Sequence, residues 1–148
     1  MALTQHSQAD ILSRVLITLT LGTDPEDGSA WPVNVNSEPS KPDNCITVYD
    51  TEGRIDGRHQ PTGNVQSHPG VQIRVRGKDQ TTARTRIAAI AEALDQQVYR
   101  ESVTIDAIIY CLQSVSRTSD PLWIGKEAPP AQRALFTLNA VITVRQTN

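Results

Sequence analysis

Apolar residues along the chain change their spacing several times, and each change marks an element. Ile11, Leu12, Val15, Leu16 and Leu19 recur at i, i+1, i+4, i+5 and i+8, one stripe of a helix over residues 4–21. Ser7 followed by Asp10 matches a capping box, Thr4 competes as N-cap, and Gly22 stands where such a helix would close. Residues 22–44 are polar and broken by glycine and proline. Within them Trp31-Pro-Val-Asn-Val fits a short strand, which its proline confines to a sheet edge or the start of a ladder.

Residues 45–50 then alternate, Ile46, Val48 and Asp50 against Cys45, Thr47 and Tyr49, as a strand does. Residues 51–69 carry Gly53, Gly57, Pro61, Gly63 and Pro69 and are too long for a tight turn; they read as an extended loop or a β-hairpin arm. Residues 70–77 give the most regular strand, with Val71, Ile73 and Val75 on one face and Gln72, Arg74 and Arg76 on the other. Asp79 or Thr81 caps a second helix reaching about Gln97, whose stripe is Ala83, Ile87, Ile90, Ala91 and Leu94. Residues 102–117 read as one long strand or two collinear ones, with Ile108, Tyr110 and Leu112 on one face. Thr118-Ser-Asp-Pro is a turn, Leu122-Trp-Ile a short apolar patch before Gly125, and Ala128-Pro-Pro-Ala a break. Residues 134–145 close the pattern as a strand with Phe136, Leu138, Ala140, Ile142 and Val144 together. Short turns between the late strands predict antiparallel pairing. The expected fold is a single α+β domain over residues 1–148: a mainly antiparallel sheet, two helices packed on one of its faces, and an extended loop or β-hairpin arm.

Composition narrows the function classes. Hydrophobic residues make up 38% and aromatic ones 4%, so the core must be aliphatic. No segment approaches the length of a membrane span, and the beginning of the chain lacks the basic and apolar run of a signal peptide, so assembly in a cytoplasm is expected. With 14 Lys+Arg against 16 Asp+Glu, the net charge of −2 argues against a nucleic-acid binder, whose affinity comes mostly from neutralising phosphates. Cys45 and Cys111 form no metal or redox signature; they read as small apolar residues in strands, with one disulfide left open.

Candidate chemistry is sparse. His6 lies at the start of the first helix, while His59 and His68 sit in the glycine-proline stretch without zinc spacing. No serine occupies a nucleophile elbow, and Gly53-Arg-Ile-Asp-Gly lacks the ending of a phosphate loop. Asp50, Glu52 and Asp56 could work as acid and base, or simply keep a loop soluble. No catalytic residue, metal or cofactor is expected. The basic residues Arg54, Arg58, Arg74, Arg76, Lys78, Arg84 and Arg86 cluster in one stretch. They form either a solvated surface or a contact with an acidic neighbour. Arg54, Arg58, His59, Arg74 and Arg76 are the candidate interaction residues.

Two stretches carry a resemblance: Asp43-Asn-Cys-Ile-Thr-Val-Tyr-Asp-Thr-Glu-Gly-Arg, and His68-Pro-Gly-Val-Gln-Ile-Arg-Val-Arg-Gly-Lys-Asp ahead of an alanine-rich helix. They resemble the tail terminator and minor capsid (neck) proteins of long-tailed bacteriophages, and Ser119-Asp-Pro-Leu-Trp-Ile-Gly-Lys with Phe136-Thr-Leu-Asn supports the match. The resemblance implies a structural virion protein rather than an enzyme. It implies a ring of copies of this chain, expected to be hexameric, on the last ring of tail tube protein. Such a ring ends tube polymerisation and meets the head-completion or stopper protein, while DNA passes through its lumen without specific binding. The alternatives are a head-completion, stopper or minor capsid role in the neck and, from another class, a small ligand-binding or enzymatic domain.

Overall fold

Nine α-helices and strands, three to seventeen residues long, follow one another among the residues that the computed structural model describes, 5–27, 30–58 and 65–147. They are α1 (Gln8–Thr18), β1 (Val33–Val35), β2 (Cys45–Arg58), β3 (Val65–Gly77), α2 (Gln80–Gln96), β4 (Glu101–Ile105), β5 (Ile108–Arg117), β6 (Leu122–Lys126) and β7 (Ala134–Thr147). The strands make one sheet in the order β1-β2-β3-β7-β5-β4, with β6 also paired to β7. Every pairing is antiparallel except that of β1 with β2.

The register at the centre explains the core. Ile46 faces Val75 and Val48 faces Ile73 across β2 and β3; Val75, Ile73 and Val71 then face Phe136, Leu138 and Ala140 of β7. One apolar face results. Against it α1 buries Ile11, Leu12, Val15 and Leu16, and α2 buries Ala83, Ile87, Ile90, Ala91 and Leu94. Each Val, Leu or Ile side chain buried in this way contributes roughly 1.5–3 kcal/mol relative to exposure. The α+β architecture with both helices in one core is as the periodicity predicts.

The ends of the helices are less legible. Ser7 caps α1 through the full capping box with Asp10, while Thr4 lies outside the described residues. The helix stops before Gly22. Thr20 adopts φ 60, and its N–H donates to the Ile17 carbonyl at 3.0 Å while the Leu21 N–H donates to the Leu16 carbonyl at 3.0 Å. This is a Schellman closure with threonine where glycine is usual. Gly22 serves packing instead: a Cβ there would lie 2.3 Å from Val33 Cγ2. At α2 the cap is Asp79, whose carboxylate accepts from the Thr82 N–H at 2.7 Å and is held below its ordinary pKa by that bond.

The expectation for residues 102–117 is overturned. β4 and β5 are not collinear; they form a hairpin turning at Asp106 (φ 48) and Ala107 (φ 67). A two-residue turn of this kind needs positive φ at both positions, and no glycine or asparagine advertises it here. Collinearity appears one step later. β5 meets β7 up to Ala140, and β6 resumes on the same edge of β7 at Thr137. Late strands therefore pair antiparallel at β4–β5 and β6–β7, but β5 and β6 do not pair with each other. The stretch after Asp50 is a β-hairpin arm: β2 and β3 stay paired outward to Arg58 and Val65, with register shifts at Thr51/Arg54 and Ile55/Gly57.

An L-residue in the left-handed region costs roughly 1–2 kcal/mol, partly offset by the extra chain entropy that glycine loses on folding. Thr20→Gly and Ala107→Gly are each expected to raise the unfolding free energy by roughly 0.5–1 kcal/mol. Urea denaturation checks this, and a lowered midpoint would contradict the strain assigned to these two positions.

Candidate interaction surfaces

The sheet face turned away from the helices carries Arg74 and Arg76. Arg74 lies between Thr47 and Thr137, and Arg76 between Cys45 and Leu135. Alternation puts both guanidinium groups on one side, as expected, but their surroundings differ. Arg76 is 2% exposed. Its Nη2 donates to the Pro42 carbonyl at 2.7 Å and its Nε to the Asp43 carbonyl at 3.3 Å. Glu38 lies 3.9 Å from its Nη1 and Glu127 3.8 Å from its Nε. Arg74, more open, meets Glu38 at 3.5 Å.

Arg133 completes the cluster. It binds Glu127 at 2.8 Å, Asp43 at 3.3 Å and the Ser40 carbonyl at 2.6 Å. The segment between β1 and β2 is thus fastened over the outer face by two arginines that grip its carbonyl groups. A planar guanidinium suits this, offering several donors in fixed directions. Beneath it the Cys45 thiol is buried, and burial pushes its pKa up against the opposing pull of Arg76. Both cysteines are free, and each lies in a strand.

The basic stretch does not form one patch. Arg84 stands over the Phe136 ring at 5.9 Å. Arg86 stands over Trp31 at 4.7 Å and donates to the Leu21 carbonyl at 2.9 Å. Lys78 is exposed just before α2, and Arg54 is exposed on the arm. Arg58 ends β2, its side chain outside the described residues, as is His59 altogether. Of the candidate interaction residues whose side chains are described, Arg74 and Arg76 are brought together and Arg54 stands apart on the arm.

The carboxylates likewise disperse. Asp50 accepts from the Ala9 N–H at 2.9 Å and from Asn36 Nδ2 at 2.7 Å. It therefore satisfies a second free N–H at the start of α1, beside the one that Ser7 satisfies. Glu52 is exposed on the arm, and the Asp56 side chain lies outside the described residues. His6 packs edge-on to the buried Tyr110, Nδ1 2.7 Å from its hydroxyl and Nε2 3.2 Å from Asp106. His68 Nδ1 lies 3.2 Å from Thr143 Oγ1. Among the described residues no three His, Cys, Asp or Glu side chains are grouped to hold a metal ion.

Two features remain open to a partner. The first is the arm. At its base Gly53 and Gly70 let the strands touch: a Cβ on Gly53 would lie 2.0 Å from the His68 carbonyl oxygen, and one on Gly70 2.2 Å from that of Glu52. From Glu52 outward no other strand flanks β2 among the described residues. The second is β6, where Leu122, Trp123 and Ile124 are 61%, 39% and 50% exposed. Its outer edge is unpaired among the described residues, Ile124 sits at a register shift, and Gly125 has φ 129. Sequence reasoning notes this apolar run without assigning it a role. The missed signal is three consecutive large apolar residues, a spacing that no single strand face can bury.

Removing Arg76 would take one cationic partner from the half-buried Glu38 and Glu127 and release the carbonyl groups of the covering segment. Arg76→Ala is expected to destabilise by roughly 2–4 kcal/mol, and Arg74→Ala, whose ion pair is partly open to solvent, by about 1 kcal/mol or less. Thermal and urea unfolding of the two variants checks the order; equal losses would contradict the division of labour between them.

The pairing of β2 and β3 over an aliphatic core, with the β6–β7 unit beside it, is the part of the chain that a family comparison covers. The family model described as bacteriophage tail terminator protein matches residues 15–144. No curated protein matches the chain. The matched span runs from within α1 to Val144 of β7 and takes in part or all of every strand pairing, so this chain belongs to the bacteriophage tail terminator family and is a structural component of the phage tail.

Proposed function

We propose that copies of this chain form a closed ring, read as a hexamer, on the last ring of tail tube subunits. The ring ends tube polymerisation and offers its other side to the head-completion or stopper protein. DNA then passes through the lumen without specific contacts. The role is structural and needs neither metal nor cofactor. Family membership over residues 15–144 carries this reading. Two physical features support it. The arm extends beyond the core, and a two-stranded ribbon standing alone is marginal in water, so it gains from a neighbour. β6 presents apolar side chains beside an open edge at a different part of the sheet. Unlike surfaces that meet head to tail close into rings when the rotation allows.

The decisive experiment is electron microscopy of lysates from a phage lacking this gene. Tails of abnormal length are expected, and addition of purified protein should restore normal ones. Unattached tails of normal length would overturn the terminator role and favour a head-side one. In dilute solution light scattering should find a monomer or weak oligomer; a stable dimer and nothing larger, even with tubes present, would contradict the ring.

A further inference from the structure

We propose that β6 of one copy receives the outer edge of the arm strand β2 from the next copy. The pairing is antiparallel, with Lys126 opposite Glu52 and Asp120 opposite Arg58. This rests on the ring reading and names its subunit contact.

The observation behind it is a match of two open edges. On the edge away from β3, the flanking strand that β2 has among the described residues is β1, paired at Ile46, Thr47 and Val48. β6 pairs β7 on one side, and among the described residues nothing lies on the other. Unpaired strand edges carry donors and acceptors that another strand can satisfy. The two edges also lie at diagonal corners of the sheet. The arm leaves beyond the pair Gly70–Val141, whereas β6 lies on the opposite edge of β7 at Ala134–Thr137. One copy therefore cannot satisfy its own pair, while a rotated second copy can.

Charge selects the partner and, counted residue for residue across the shifts at Thr51/Arg54 and Ile55/Gly57 of β2 and Trp123/Gly125 of β6, one register. Reading Asp120-Pro-Leu-Trp-Ile-Gly-Lys126 against Glu52-Gly-Arg-Ile-Asp-Gly-Arg58 in reverse sets an opposite charge at each end. The same register sets Gly125 against Gly53 and Trp123 against Ile55. Opposed charges and aromatic–aliphatic pairs are the cross-strand contacts that stabilise antiparallel ladders. Shifting by one residue loses both charge pairs. Pro121, which has no N–H, and the irregularity at Ile124 limit strand addition at β6 to a short segment. An edge that exposes Leu122, Trp123 and Ile124 would otherwise invite open-ended aggregation.

Charge exchange tests the pairing. Lys126→Glu alone and Glu52→Lys alone each place like charges opposite one another, and each is expected to weaken self-association about threefold to tenfold per contact. The double variant Glu52→Lys with Lys126→Glu restores opposite charges and is expected to recover assembly. Both sites are exposed, so thermal melting should be unchanged in all three. Rings are scored by electron microscopy on purified tail tubes, and association by sedimentation. In a Cys111→Ser background, Glu52→Cys with Lys126→Cys should form disulfide-linked chains of several copies under oxidation. If rings form but the double variant fails to recover and no cross-link appears, the pairing is wrong while the ring stands. If the single variants lose tube binding with self-association unchanged, β6 meets the tube protein and the proposal falls. If the wild-type chain forms no ring on tubes, the ring reading and this contact fail together.

Discussion

The register between β3 and β7 is the constraint on which the rest of the molecule depends. It sets Val71, Ile73 and Val75 beside Ala140, Leu138 and Phe136, and so makes one side of the sheet a continuous aliphatic surface for both helices. It also sends Arg74 and Arg76 to the other side. Strand side chains alternate, so a slip of one residue would exchange the two sets and drive two guanidinium groups into the core. β7 extends the same constraint outward. Its second edge is divided between β6 at Ala134–Thr137 and β5 at Ala140–Thr147, so one strand aligns three partners.

What the sequence shows depends on whether a feature is periodic. The stripe of α2 and the inward face of β7 are regular and follow from spacing alone, and every residue named for them is buried. Features made by single backbone angles do not. Thr20 closes α1 and Asp106-Ala107 turns β4 into β5, and of the three only aspartate is a residue that readily accepts positive φ. The hairpin character of residues 51–69 is only half legible. Its glycines suggest a loop, yet Gly53 and Gly70 are there because the two strands approach too closely for a Cβ.

The outer face shows a different limit. Alternation tells which side of the sheet an arginine occupies, but not whether anything lies above it. Arg76 is buried because the segment between β1 and β2 crosses that face, held by carbonyl groups of Pro42 and Asp43 far from it in sequence. Asp50 is similar: a candidate acid by composition, it accepts hydrogen bonds at the start of α1 because the strand face that carries Ile46 and Val48 runs out beside that helix end. In both cases the chemistry of a charged group is consumed within the chain, and neither can be judged from its neighbours in sequence.

This separation bears on how, in the proposed ring, a tail subunit would keep its own fold and still bind its neighbours. The buried charges lie in the centre of the sheet, where they fasten loops. The open backbone lies at two diagonal corners, the arm and β6, away from the register that fixes the core. Contacts at the corners can therefore form or break without disturbing Val75 or Phe136. Edges left open carry an aggregation hazard, and the chain limits it locally with glycine at 125, proline at 121 and a register shift, while no element among the described residues covers the β6 edge. A covering helix would have removed the hazard, but it would also have removed the surface on which, in the proposed ring, the next copy is seated.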